Sequence, residues 1–595
     1  MKGREGWSVR ILILTNMKMR MNRIILFIAL AALFLTAGIG NARAQAPNQQ
    51  GFEIMKNLDI YSNLIRELDQ DYVDEINPGA LMQTGIEAML ESLDPYTNFI
   101  PESQVEDYRF ITTGQYGGIG ALIHQQGDFI VISEPYENSP AAKAGLKAGD
   151  RILEVNGKTA RGKSYDDVSA ILKGQAGTTV NVRLEREGES QPFEKDIIRE
   201  NIRIDNIPYS GMVAPGIGYI KLTGFTQNAG KEVKQAFQKL REGNTLKGII
   251  IDLRGNGGGL LNEAVDIANL FVERGTEIVS TKGKKADKNR THSTMNPPVD
   301  LIIPVVVMVD RSSASASEIL AGSLQDLDRG VVLGQRTFGK GLVQNVVPLS
   351  YNAQMKITVA KYYIPSGRCI QAIDYEHKRT DGSFGKVPDS LIRAFKTRNG
   401  RTVYDGGGIS PDVALAPRRY SAVATTLYGR YLIFDYVTRF VRSHPEIASA
   451  DSFKVSDSAY QGFLEFIKGK DYSYKTRTER ALEGLKETAQ KDSTFESISR
   501  EYDLLKTRME KEKEEDLAKY EDQVRELLKL EIVTRYYYQK GKVIAGLSSD
   551  PELKEAITVL NDRERYDGIL AGRFVQHKPE VPVRDEEEDE QDPME

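Results

Sequence analysis

The spacing of apolar positions changes three times along the chain. Over residues 51–100, Met55, Leu58, Tyr61, Ile65, Leu68 and Tyr72 recur at three- and four-residue intervals, the period of an amphipathic helix. Pro78 and Gly79 break that pattern, and a second helix is expected from about Ala80 to Leu93, where Asp94-Pro95 stops it. From Gly114 the period shortens. Ala121–His124, Phe129–Ser133, Ile152–Val155 and Val180–Leu184 read as strands, Asn156-Gly157 is a hairpin-turn pair, and Asp166–Lys173 reads as a helix ended by Gly174.

Further on, Gly248–Leu253 and Pro304–Val309 are apolar without interruption, as strands buried on both faces require. A strand at Gly218–Leu222, helices near Ala229–Leu240 and Leu261–Val272, and an exposed polar loop over 281–299 are expected around them. After Asp310 comes a turn of small residues, 312–317. Glu318 opens a helix-like stretch, Ile319–Leu324, and a second apolar run follows at Val331–Leu333. Leu342–Leu349 and Lys356–Ala360 read as strands, and the charged, glycine-rich stretch 374–407 as a surface excursion. From Ser421 helices return, with Ile433, Tyr436, Val437 and Phe440 in one stripe. Residues 477–540 are rich in Glu and Lys with interspersed leucines, which reads as a long helical hairpin or a coiled-coil dimer.

Composition narrows the class. A chain of 595 residues exceeds one hydrophobic core, so three or four domains are expected. The net charge of −5 gives no basic excess and argues against nucleic acid as a partner. Lys18, Arg20 and Arg23 precede an apolar stretch, Ile24–Ile39, and Ala-x-Ala sites follow at 42–46. This is the pattern of a secretory signal, cleaved or kept as a membrane anchor. The single cysteine, Cys369, allows no internal disulfide and reads as a small half-buried strand residue. The acidic tail from Asp585 is expected to be disordered.

Two chemistries compete over 303–344. Gly334–Lys340 fits G-x-x-x-x-G-K, but Gly341 stands where a phosphate loop needs Ser or Thr, and a strand follows where it needs a helix. Hydrolysis by a serine needs a base. Of His124, His292, His377, His444 and His577, only His292 and His377 fall near the serines, each in an expected polar loop. Lys340 lies between two glycines with no adjacent carboxylate, a setting that suits a neutral lysine acting as base. Gln344 is placed to orient its amine.

Two resemblances carry the reading further. Residues 103–202 resemble a PDZ domain, through the glycine loop at 117–120, the run Ser139–Asp150 and the Ile152–Gly157 hairpin. The resemblance implies that backbone N–H groups around Gly118, Ile119, Gly120 and Ala121 bind a peptide's terminal carboxylate beside an open strand edge. Lys56–Val413 resembles the carboxy-terminal processing peptidases, or tail-specific proteases, of the Ser-Lys type. The motifs are SASASE at Ser313–Glu318, TFGKGLVQ at Thr337–Gln344 and DLRGNGGG at Asp252–Gly259. That family implies Ser315 as nucleophile, Lys340 as base and Gln344 as its support. It also implies an oxyanion hole of Ala316 with Gly257 or Gly258, between which spacing does not choose.

The expected architecture is α+β and multidomain: a ClpP/crotonase-like core with an inserted PDZ domain and helical regions at both ends. The expected parts are a signal or anchor at 1–46, helices at 47–102, PDZ at 103–203, peptidase core at 204–417, a helical domain at 418–572 and a tail at 573–595. The expected activity is that of an exported serine endopeptidase recognising protein C-termini, in the periplasm or cell envelope, through an acyl-enzyme and without metal, nucleotide or other cofactor. Its partners are protein substrates with accessible C-termini, with membrane association through the N-terminus and a homodimer or adaptor contact through the helical domain as further expectations. The rival is a catalytically weak periplasmic scaffold or chaperone.

Overall fold

The structure is a computed structural model that describes residues 49–378 and 383–573. The expected leader at 1–46, His577 and the acidic tail from Asp585 lie outside the described residues. Among the described residues no helix is long and apolar enough to cross a membrane.

A first unit, ending at Met89, holds the helix Gln49–Asp71 and most of the helix Pro78–Glu91. Pro78 and Gly79 start the second helix rather than breaking a pattern. A first-turn N–H has no intrahelical partner, so proline costs nothing there.

The second unit begins at Leu90. Its first body is an antiparallel sheet in the order Ala121–Gln126, Phe129–Pro135, Arg151–Val155, Thr179–Glu185, Phe193–Ile198. The helix Tyr165–Leu172 lies against it. Ser164 accepts from Asp167 N and Asp167 accepts from Ser164 N, so both ends of the first turn are satisfied. Ile130, Ile132, Ile152, Val180, Val182 and Leu184 form this body's core.

The second body is built on a six-stranded sheet, Tyr209–Ala214, Ile217–Lys221, Gly248–Asp252, Val305–Val309, Val331–Gly334 and Val413–Ala414. The first pair is antiparallel and every other pair parallel. Parallel neighbours need crossovers, supplied by the helices Ala229–Arg241, Leu261–Ala268 and Ala316–Asp326. These cover one face, where Phe225, Phe237, Phe271 and Leu320 pack against Ile249, Ile251, Val305 and Val307. The other face, with Tyr219, Ile250, Val306, Met308 and Leu333, is covered by the helices Pro551–Asn561 and Arg563–Leu570. Region 418–572 is therefore not one packing unit: its last two helices complete the cover of the six-stranded sheet.

A second, antiparallel sheet joins Asn98–Ile100, Gln354–Tyr363, Glu277–Gly283, Arg290–Ser293 and Leu342–Pro348. The loop expected over 281–299 is thus partly a hairpin. Its apolar inward residues, Ile278 and Val279, lie just upstream, and within 281–299 the buried positions are polar, Thr281 and Thr294 among them, so the segment reads as loop.

Helices Ala422–Gly429, Leu432–Ser443, Asp457–Ile467 and Glu521–Leu547 form the third body around Leu427, Val437, Phe463, Leu527 and Leu528. Stretch 477–540 divides: Arg477–Lys491 and Phe495–Glu514 make a hairpin with Leu504 and Leu505 exposed, while Glu521–Leu547 is a core helix. This body grips the first. His124 stacks on Tyr431 with ring centroids 4.2 Å apart, and Arg535 lies 4.2 Å over the Phe434 ring and donates to Ser133 O. Burial and then Arg535 push the His124 imidazole down to about 4, so it sits there neutral.

Candidate active site

The site is assembled where the strands Gly248–Asp252, Val305–Val309 and Val331–Gly334 end, the usual place for ligands on a parallel sheet. Asp310 organises the turn after the second strand. Its carboxylate accepts from Ser312 N, Ser313 N and Ser313 Oγ, and from Gly255 N at 2.9 Å. Ser313 Oγ also donates to Leu253 O, Ser317 Oγ to Asn256 O and Ala314 N to Asn256 O. The serine turn and the glycine turn are thereby sewn together.

Those bonds separate the serines. Ser313 and Ser317 are fully buried and spent on backbone carbonyls. Ser315 is half-buried, at the head of the helix Ala316–Asp326, with φ 54° and ψ −111°. A non-glycine residue in that region is strained, and such strain gathers at functional turns. Ala316 N, in the helix's first turn, has no hydrogen-bond partner among the described residues.

Gly258 is the glycine that touches Ser315. A Cβ there would lie 2.7 Å from Ala314 O and 2.9 Å from Ala316 N, and its φ is +102°. Any side chain would displace the serine turn. Gly258 N donates to Asn256 Oδ1 at 2.9 Å. Gly257 N has no partner among the described residues, and a Cβ on Gly257 would meet nothing within 4 Å.

Glu318 joins the serine turn to the lysine turn. It is fully buried, yet its carboxylate accepts from Ser315 N (2.9 Å), Thr337 Oγ1 (2.6 Å), Gly339 N (2.7 Å) and Lys340 N (2.9 Å). Burial pushes its pKa up to about 7, against the pull of those donors. Tyr362 makes a second bridge, its hydroxyl donating to Lys340 O and, at 3.3 Å, to Ser315 O. Ser-x-x-Glu ahead of an apolar run is a capping signature; that signal marks Glu318 as a cap, but nothing local reveals that it also holds residues 337–340.

Lys340 is half-buried, and its pKa is pushed down to about 8 by burial first and Lys356 second, with Glu318 and Asp94 opposing. Its ammonium lies 4.3 Å from the centroid of the Tyr96 ring. No hydrogen bond joins it to Ser315 or to Gln344 among the described residues. Gln344 Nε2 instead donates to Thr358 Oγ1 (3.3 Å), which donates to Asp94 Oδ1 (3.2 Å). Tyr96 is a residue the sequence did not flag: Asp94-Pro95 reads there only as a helix stop. The excursion 374–407 also reaches this place, because Tyr375 packs edge-on against Tyr96 with centroids 5.9 Å apart. His292 and His377 lie on strands, Arg290–Ser293 and Ile373–Lys378, not in loops. A strand, Leu342–Pro348, follows Gly334–Lys340, as the rejection of a phosphate loop requires.

In the first body, Ile119 O accepts from Ala141 N and Gly120 O from Tyr136 N, which fixes the loop 118–121. Ala121 opens the strand Ala121–Gln126, which stands at the end of its sheet with one edge unpaired among the described residues.

The comparisons agree with these parts. A profile described as Peptidase family S41 matches residues 216–378, a PDZ-domain profile matches 131–186, and one for the C-terminal helical domain of a probable PDZ-protease matches 423–560. The chain is 33% identical over 355 residues to a carboxy-terminal-processing protease of Bartonella bacilliformis, spanning 59% of this chain and 80% of that one. It is 30% identical over 436 residues to the carboxy-terminal processing protease CtpA of Bacillus subtilis, spanning 72% and 90%. Among solved structures, a photosystem II D1 C-terminal processing protease matches at 30% identity over 60% of this chain and 92% of that one, with a TM-score of 0.33. The chain belongs to peptidase family S41, among the carboxy-terminal processing proteases, with a PDZ domain ahead of its peptidase domain and a helical domain behind it.

Proposed function

We propose that this serine protease is exported to the periplasm or cell envelope and cuts protein tails by a Ser-Lys mechanism on a ClpP/crotonase-like core. The observation that carries the mechanism is the double bridge between the two turns, Glu318 on one side and Tyr362 on the other, which holds Ser315 and Lys340 in one site. The parallel strands with helices on both faces support the core type.

In the proposed reaction the open edge of Ala121–Gln126 pairs with an extended C-terminal tail, and N–H groups of the loop 118–121 take its carboxylate. Neutral Lys340 accepts the Ser315 Oγ proton as Oγ attacks an upstream carbonyl. Charge on the carbonyl oxygen is held by Ala316 N–H and by the N–H of Gly257 or Gly258: Gly258 is the glycine against Ser315, but its N–H already donates to Asn256 Oδ1, whereas Gly257 N is without a partner among the described residues. The C–N bond breaks, Lys340 returns its proton to the leaving amine, and water hydrolyses the acyl-enzyme. The leader supports export, and the intact serine, lysine and glycine turn speak against a catalytically weak scaffold.

Ser315→Ala and Lys340→Ala are expected to lower turnover of an unstructured protein at least about a thousandfold, while binding of a C-terminal peptide is kept. Turnover assays with anisotropy titrations check this, and full activity of Ser315→Ala sinks the mechanism.

A further inference from the structure

The main chain of Lys340 is pinned from both sides. Its N–H donates to Glu318 Oε2 at 2.9 Å and its carbonyl accepts from Tyr362 Oη. Only its side-chain torsions are left to move the amine. In this structure they place Nζ over a ring face, not against Ser315. The ring is itself held. Tyr96 follows Asp94, whose Oδ1 accepts from Tyr96 N at 2.8 Å and Thr97 N at 2.9 Å. Tyr375 Oη donates to Tyr96 Oη at 3.2 Å, and Phe384 packs edge-on against Tyr375 at 5.0 Å. The segment 94–97 and the excursion after Ile373 thus build an aromatic wall against the Lys340 amine.

A ring face attracts an ammonium through its quadrupole and has no comparable hold on a neutral amine. We infer that Tyr96 is a positioning residue whose ring holds the protonated Lys340 away from Ser315 and lets the amine swing toward Oγ once its proton has passed to solvent. Resting position and protonation state are then one variable. The inference rests on the proposed role of Lys340 as base and adds what governs its arrival. The charged groups facing Lys340 are Lys356 from Gln354–Tyr363, Glu318 from the helix Ala316–Asp326 and Asp94 ahead of Asn98–Ile100. Lys356 opposes the charged form and the two carboxylates favour it, and neither carboxylate forms an ion pair with the amine among the described residues.

The sign is fixed by which form the ring favours. Removing the π face while keeping an apolar side chain removes stabilisation from the charged form only, so the lysine loses its proton at lower pH. At high pH, where Lys340 is neutral in every variant, nothing is lost.

The test is the pH dependence of kcat/KM for cleavage of an unstructured protein by full-length wild type, Tyr96→Phe, Tyr96→Leu and Tyr96→Met. Tyr96→Phe is expected to keep the acid limb in place. Tyr96→Leu and Tyr96→Met are expected to move it down by about half to one pH unit with the alkaline plateau unchanged. An unmoved limb in both aliphatic variants, a Phe variant that moves with them, or a plateau that falls while the limb stays overturns the inference. Turnover that survives Lys340→Ala overturns the underlying mechanism instead, so the two failures are distinguishable.

Discussion

Two cations stand just past the carboxyl ends of the same sheet and meet opposite surroundings. Arg254, after Gly248–Asp252, is ringed by carboxylates: Asp252 at 2.7 Å, Asp550 at 2.6 Å and Glu552 at 2.7 Å. Burial alone would lower its pKa, but the acids outweigh burial and hold its charge permanently. Asp252, buried among Arg254, Lys221 and Tyr219 Oη, is held well below the usual carboxylate range. Lys340, after Val331–Gly334, has a ring and no carboxylate bonded to its amine among the described residues. Burial there outweighs the pull of Glu318 and Asp94. Burial therefore does not decide what a cation does; the partners it is given do. Arg254 pins the glycine turn to the C-terminal helices, whereas Lys340 is left able to lose its proton.

The largest effect expected from this contrast is on folding. Arg254→Met leaves Asp550 and Glu552 buried without their counter-charge and is expected to cost about 3–5 kcal/mol. Lys340→Met removes a cation with no ionic bond and is expected to change stability by less than about 1 kcal/mol while abolishing turnover. Urea midpoints of the two proteins decide it; equal losses break the comparison.

The next effect is on rate and on its slope with pH. Glu318→Gln keeps the shape but offers an amide to N–H donors, and is expected to lower kcat about 10- to 100-fold. On the proposed mechanism, activity needs Glu318 ionised and Lys340 neutral, with pKa values of about 7 and about 8. Activity therefore rises with pH through both, more steeply than tenfold per unit below about pH 7. Glu318→Gln should return the acid limb to a single-proton slope. A kcat/KM profile checks this, and an unchanged slope would count against a titrating Glu318.

The smallest effect separates the two glycines. Gly257 has no positive φ and open space at its Cβ position. Gly257→Pro removes one N–H and leaves Gly258 N–H in place. If Gly258 is the oxyanion donor, kcat stays within a few-fold; a loss of about a hundredfold or more assigns the role to Gly257.

The three motifs and the fully apolar strands were legible because their signals are local. Gly248–Asp252 and Val305–Val309 are buried on both faces and spell it out in sequence. The tethers were not legible, because each is a contact between distant segments. Glu318 reaches residues 337–340, Tyr362 reaches Ser315, and Tyr96 comes from more than two hundred positions upstream of the lysine it faces. Polar edge strands such as Arg290–Ser293 defeat a pattern rule that equates polarity with loop. Gln344 followed the strand register and points to Thr358, which spacing from Lys340 alone does not disclose.

The helices that close the far face of the peptidase sheet have a consequence in time. Leu553, Ala556, Val559, Tyr566 and Ile569 cover Ile250, Val306, Met308 and Leu333, yet they are translated long after them. At about 5–20 residues per second, the strands wait roughly ten to sixty seconds for their cover. A chain that already carries Ser315 and Lys340 but not residues 551–570 thus has an unfinished sheet beneath both, and the site is complete only once those helices are made and packed. Ribosome-stalled chains ending at residue 550 should show no Ser315-dependent hydrolysis.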